Sequence, residues 1–123
     1  LLGSTAAEVQ ADRANLAARF AAGSGVVLLL KGSGTLVTDG TRLYRNTTGN
    51  PGMATGGSGD VLTGVIAGLI GMGLAGFDAA VLGAWVHGRA GDLGAARLGQ
   101  TAVTAADLVD SLPAAFRGVE SAW

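Results

Sequence analysis

The spacing of apolar positions changes several times along the chain, and each change marks an element. From Thr5 to about Ala22 an alanine-rich amphipathic stretch carries Val9, Leu16 and Phe20 as its larger apolar residues. Thr5 with Glu8 three positions on forms a capping box, so the pattern predicts a helix, and Gly23, Ser24 and Gly25 stop it. Val26 to Leu30 is a continuous apolar run with the length and β-branched character of a strand buried on both faces, as in parallel sheets covered by helices. Thr35–Thr38 and Thr41–Asn46 alternate polar and apolar around Asp39-Gly40, which predicts a hairpin. A loop from Asn46 to Thr55, containing Pro51, then leads through a glycine-rich entrance to a helix expected to begin near Asp60. Asp78 is expected to cap a further helix through Trp85 and His87 toward Leu93. Thr104 with Asp107 caps the last, which Pro113 ends or kinks. Strand, hairpin, loop and helices in this order predict an α/β layer architecture. One buried strand and one hairpin cannot cover a sheet's edges and apolar faces, so further strands are expected from outside this sequence.

Val61 to Phe77 is uncharged and apolar, bounded by Asp60 and Asp78, with Gly64 and Gly68 at the spacing of a membrane-helix contact. A membrane span needs about 20 apolar residues. Gly71, Gly73 and Gly76 are expected to end the helix sooner, so the segment is read as a helix buried on most sides in a soluble protein. With 123 residues, 49% of them hydrophobic, the chain can build the core of one domain spanning residues 1–123. No internal repeat, low-complexity tail or second domain boundary is visible. A formal net charge of −1, no basic cluster and only 5% aromatic residues argue against a phosphate-tracking surface or a base-stacking platform, so nucleic acid and membrane are not expected partners. The absence of cysteine excludes disulfides and thiolate metal sites. No secretory or lipidation signal opens the sequence, which makes a cytoplasmic location the expectation.

The candidate chemistry lies between Gly49 and Gly64. Gly56, Gly57, Ser58 and Gly59 carry almost no side chain, so a phosphate can approach the N–H groups of the helical turn that follows, where the helix dipole is positive. These four residues are the candidate anion hole. Asp60 is the exception: a carboxylate beside bound phosphate suits a general base that takes a proton from a hydroxyl attacking phosphorus. The alternative reading is that Asp60 caps the helix and complements its dipole.

The segment Gly49-Asn50-Pro51-Gly52-Met53-Ala54 followed by Gly57, Gly59-Asp60 and Leu62-Thr63 closely resembles the signature of the ADP- or ATP-dependent NAD(P)H-hydrate dehydratases, members of the ribokinase-like fold. Upstream, Lys31-Gly32-Ser33-Gly34-Thr35 is similar to the family's nucleotide-contacting motif, and His87-Gly88-Arg89-Ala90-Gly91-Asp92 is similar to a family helix segment. The resemblance covers essentially the whole chain and only the C-terminal half of such an enzyme. The N-terminal half, with the first strands and several hydrate-binding loops, is expected to be cleaved, carried by another chain, or outside this sequence. The resemblance implies a ribokinase-like layered sheet with flanking helices. It also implies a lyase that restores NADH or NADPH from its hydrate, with ADP or ATP as co-substrate and Mg2+ on the nucleotide. It places Lys31, Gly32, Ser33, Gly34, Thr35 and Gly59 on the nucleotide and Asp60 on the hydrate hydroxyl as catalytic base. A homo-oligomer, associated with the other half of the domain, is the implied assembly. Two other readings remain open at this level: a ribokinase-like kinase acting on a vitamin-precursor hydroxyl, and a non-catalytic nucleotide-binding or assembly fragment.

The remaining polar residues read as structural. His87, the only histidine, sits mid-helix and far in sequence from the glycine loop, with Asp92 or a backbone carbonyl as its expected partner. Asp92 is read in the same way, and Thr63 and Met53 as packing residues, while Asn50 to Met53 are candidates to line a ligand pocket. No cluster of His, Asp and Glu marks a protein-only metal site, which leaves magnesium to the nucleotide phosphates.

Overall fold

The computed structural model describes residues 12–32 and 34–122. The capping box of Thr5 and Glu8, and Ser33 of the nucleotide motif, lie outside the described residues. The chain divides into two compact units, Leu1–Asn46 and Thr47–Trp123, which are taken in turn.

In the first unit helix α1 (Arg13–Ser24) stops where the glycines predict. Gly25 takes the left-handed conformation at φ 65° and its N–H returns to the Ala21 carbonyl, an arrangement open to glycine at no Cβ cost. Ala17 and Ala21 bury one face of α1, which packs on β1 (Leu28–Leu30) and β2 (Leu36–Thr38). These strands and β3 (Leu43–Arg45) form an antiparallel sheet in the order β1-β2-β3, with Leu29 opposite Val37 and Val37 opposite Tyr44.

The apolar run at Val26–Leu30 is therefore not a doubly buried strand of a parallel sheet. Only Leu28–Leu30 is strand, half-buried and antiparallel to β2, and Val26 and Val27 are exposed. The buried role falls to β2, because it has a neighbour on each side and α1 against it; Leu36, Val37 and Thr38 are all buried. The expected hairpin turn forms at Asp39-Gly40. The Asp39 carboxylate accepts the N–H groups of Thr41 (2.9 Å) and Arg42 (2.7 Å) and pairs with the Arg42 guanidinium at 2.8 Å. Those backbone bonds, with the guanidinium, hold its carboxyl down at about 2. Gly40 is required twice, by its φ of 96° and because a Cβ there would meet the backbone of Ala22.

The second unit is helical. A short 3₁₀ turn (Pro51–Met53) precedes α2 (Ser58–Gly71), α3 (Gly76–Leu98) and α4 (Ala105–Ala122). Helix α2 begins two residues ahead of the expected point, with Gly57 as N-cap at φ 89°, so Ser58, Gly59 and Asp60 form its first turn. Gly71 and Gly73 end it as expected, but Gly76 opens the next helix instead. Asp78 is not the cap of α3: Ala75 holds that position, and Asp78 lies in the first turn, where its charge suits the dipole.

Thr104 and Asp107 do form the capping box of α4. The Thr104 N–H and hydroxyl donate to Asp107 Oδ2 at 2.9 Å and the Asp107 N–H returns to Thr104 Oγ1 at 3.3 Å. The same Thr104 backbone and hydroxyl donors lower the Asp107 carboxyl below its ordinary value. Pro113 does not end α4, which runs on to Ala122. Its missing N–H falls at an exposed position four residues after exposed Val109, where water can satisfy the carbonyl left over.

Helix α3 is the centre of this unit. Val86 and Ala90 pack with Ala115 of α4 into a core flanked by Trp85, Leu93, Leu112 and Phe116. Gly83 lets Ile66 of α2 come against the α3 backbone. Helix α2 is less buried than its composition predicts: Leu62 and Leu69 are covered, while Ile70 is 50% and Met72 78% exposed. The glycines at 64 and 68 leave a shallow apolar groove of about 430 Å³ on this side, lined by Val61, Val65, Leu69, Leu112 and Phe116 among others. Among the described residues no helix is long and apolar enough to cross a membrane.

Candidate active site

Residues 50–61 are wound by short-range backbone bonds. Met53 donates to the Asn50 carbonyl (3.1 Å), Thr55 to Met53 (2.9 Å) and Ser58 to Thr55 (3.2 Å), after which the α2 ladder starts with Val61 donating to Gly57 (3.1 Å). The N–H groups of Gly56, Gly57, Gly59 and Asp60 are left without partners among the described residues. They lie at or just before the positive end of a 14-residue helix, the arrangement that binds anions through the backbone. Ser58 differs from the other three residues of the candidate anion hole. Its N–H is taken by Thr55, and its side chain is buried with Oγ 3.3 Å from His87 Nε2.

Asp60 is the third residue of α2, exposed, with no hydrogen bond or ion pair to its carboxylate among the described residues. Gly57 holds the N-cap position, so Asp60 is not the cap; its charge in the first turn of α2 suits the helix dipole, as the structural reading expects. An unpartnered carboxylate beside four free amides suits proton transfer next to a bound anion. Thr63 bonds back to the Gly59 carbonyl at 3.0 Å within the helix, in line with its structural reading.

Helix α3 holds this segment from one side. Thr48 donates its hydroxyl to the Trp85 carbonyl at 2.9 Å. Asp92 accepts the Gly49 N–H at 3.0 Å and the Asn50 side-chain amide at 2.9 Å, and Asn50 in turn accepts the Gly52 N–H at 3.0 Å. At the far end of the segment His87, which is buried, places Nε2 2.9 Å from the Ser58 carbonyl. The backbone approach is tight enough to require glycine at two positions, since a Cβ at Gly88 would fall on Thr48 and one at Gly52 on the Gln100 backbone; one at Gly91 would meet the flexible side chain of Met53.

The second cluster of expected residues lies in the first unit. Gly32 (φ 143°) and Gly34 (φ 66°) turn the chain sharply beyond β1, and Thr35 Oγ1 donates to the Gly32 carbonyl at 3.3 Å. Arg13 of α1 braces the turn, donating to the carbonyls of Leu30 (3.2 Å) and Lys31 (3.1 Å). Lys31 is exposed, and the Thr35 carbonyl is held by the Asn46 N–H at 2.8 Å.

A family model for NAD(P)H-hydrate dehydratase matches residues 1–114. The chain belongs to this family. Among curated relatives, the bifunctional NAD(P)H-hydrate repair enzyme Nnr of Moorella thermoacetica is 56% identical over 122 residues, 98% of this chain and 23% of that protein. The ADP-dependent (S)-NAD(P)H-hydrate dehydratase of Neisseria meningitidis is 49% identical over 94 residues, 76% of this chain and 32% of that protein. In fold, the chain is similar to the ADP/ATP-dependent NAD(P)H-hydrate dehydratase of Bacillus subtilis co-crystallised with ATP/Mg2+ and soaked with CoA. The TM-score is 0.88 at 31% identity, over 94% of this chain and 43% of that one. The α/β class expected from the element order is thus borne out. The chain spans about a quarter of the length of the curated bifunctional relatives it matches.

For this dehydratase-family chain, sequence reasoning found the glycine loop and Asp60 but missed what holds them. In the first unit, Arg13, which braces the Lys31 turn, gave no signal, since nothing in a helix pattern shows that a guanidinium reaches a strand end. Gly88 and Gly91 carried a readable one: two glycines three apart inside a helix are costly unless a neighbouring segment comes close, here Thr48 at Gly88 and the Met53 side chain at Gly91. His87 meets a backbone carbonyl, one of its two expected partners; Asp92 instead holds the loop.

Proposed function

We propose that the chain supplies the phosphoryl-transfer part of an ADP- or ATP-dependent NAD(P)H-hydrate dehydratase, as the C-terminal portion of a larger ribokinase-like domain. The observation that carries this reading is the unpartnered Asp60 carboxylate beside the free amides of Gly56, Gly57 and Gly59, in a chain whose residues 1–114 match the family. In this proposal Asp60 takes the proton of the ring hydroxyl as its oxygen attacks the terminal phosphorus. The nucleotide leaves with one phosphoryl group fewer, and the free amides hold the charge that builds on the transferring oxygens. The lone pair of the ring nitrogen then expels the phosphate, and loss of a proton from the adjacent ring carbon restores the reduced nicotinamide. Lys31, Gly32, Gly34, Thr35 and Gly59 are proposed nucleotide contacts. Among the described residues no group of three or more His, Cys, Asp or Glu could hold a metal ion, so Mg2+ is assigned to the nucleotide phosphates and no step is routed through it. The family match supports the hydrate as substrate over a vitamin-precursor alcohol.

The test is recovery of NADH absorbance from its hydrate by the complete protein with ADP or ATP, with phosphate release followed in parallel. One phosphate per NADH recovered is expected. Phosphorylation of a simple alcohol without any gain in NADH would replace this reading by that of a small-molecule kinase.

A further inference from the structure

Residues 56–60 offer few side chains to hold them: Ser58 is buried and Gly57 lies close to Ala105 of α4, while the rest of the turn is glycine and an exposed carboxylate. Gly56, Gly57 and Gly59 lack side chains, and the Asp60 carboxylate has no partner among the described residues. Their other described hydrogen bonds are local: Ser58 to Thr55, Val61 to Gly57 and Thr63 to Gly59. Among the described residues the bonds from His87 to Ser58 alone tie this turn to another helix. We infer that His87 is a positioning residue for the proposed reaction: its Nε2–H, held on the Ser58 carbonyl, fixes the first turn of α2 and with it the free amides and the Asp60 carboxylate.

A carbonyl only accepts, so the 2.9 Å contact puts the proton on Nε2, with Ser58 Oγ at 3.3 Å taking a second share. That donor persists whether the imidazole is neutral or charged. Buried and committed to a carbonyl, Nε2 does not serve as a proton shuttle; its effect is geometric. The amides and Asp60 act on charge that develops only as the phosphoryl group moves, so their displacement is felt in turnover more than in ground-state nucleotide affinity.

This inference rests on the function proposed above, and the experiment separates the two. The complete protein is compared with His87→Gln, whose side-chain amide reaches about as far as Nε2, and with His87→Asn, whose amide falls short. His87→Asn is expected to lose about tenfold or more in kcat while the nucleotide KM moves less than about threefold. Amide hydrogen exchange across residues 57–61, measured without ligand, is expected to quicken in the same variant. His87→Gln is expected to keep kcat within about threefold of the parent and to exchange like it. If the parent recovers no NADH, the proposed reaction falls and the exchange comparison still decides the tether. If the parent is active and His87→Asn matches it in turnover and exchange, the tether alone falls. An Asn variant that unfolds, or a Gln variant as impaired as Asn, assigns His87 to plain core packing and overturns the inference.

Discussion

Asp60, the proposed base, takes little from the fold around it. Its carboxylate is exposed and makes no bond among the described residues, while the helix is capped by Gly57. Replacing it with asparagine keeps the shape and removes the proton acceptor. In the complete protein Asp60→Asn is expected to lose about 10² to 10⁴ in turnover, the range for a removed general base. Its melting temperature should stay close to the parent's. NADH recovery and thermal unfolding on the same preparation decide the matter: turnover within a few fold of the parent, or a large loss of stability, would return Asp60 to a structural role. The residue itself was legible in the sequence because a carboxylate after a run of glycines is chemically out of place. Its supports were not. His87 and Asp92 lie 27 and 32 positions further on in the sequence, and only the packing of α3 against the loop brings them to it.

At the scale of elements, the hairpin and the α3–loop contact are held by different physics and answer to different tests. The Asp39 carboxyl sits at about 2 against an ordinary 3.8, chiefly through the backbone N–H of Arg42. A carboxyl lowered on folding binds its proton more tightly in the unfolded chain. Its stabilisation is therefore complete above about pH 4 and is lost as pH falls toward 2. Thermal midpoints of the parent and Asp39→Asn should differ at about pH 5 and converge at about pH 2. A constant difference across that range would mean that the charge is not what Asp39 contributes. The Asp107 carboxyl, lowered by Thr104, moves stability in the same direction and is common to both proteins. Where α3 meets the loop, shape rules. A Cβ at Gly88 would land on the backbone of Thr48, which cannot rotate away, so Gly88→Ala is expected to cost about 1–3 kcal/mol in a denaturant titration, the usual range for overpacking. A neutral result would show that the loop has room to move. The capping box of α4 and the end of α1 could be read from local chemistry, while Asp78, Pro113 and the exposure of Val26 and Val27 could not. Those depended on which face each element turns to its neighbours.

Across these 123 residues the charge is small and of mixed sign, with a formal net of −1 and a single lysine among eight Lys and Arg residues. This stretch therefore supplies no strong long-range field of its own, and the proposed anion site relies on amides acting at short range. The nucleotide KM is expected to change by less than about threefold between roughly 50 and 200 mM salt. A steep dependence would point to arginines the proposal does not use. The α/β class and the order of strand, hairpin, loop and helix were written in the periodicity. The antiparallel pairing of β1 was not, because an apolar run states that a strand will be covered and leaves open by what. The glycines at 52 and 88 bear on the gene as well as on the fold. Every single-base change in a glycine codon that alters the residue either adds a side chain or ends the chain, and at these two positions the space belongs to another stretch of backbone. Inactive variants collected blind should gather at 52 and 88 as well as at 60, disabling the reaction at codons that supply no reacting atom.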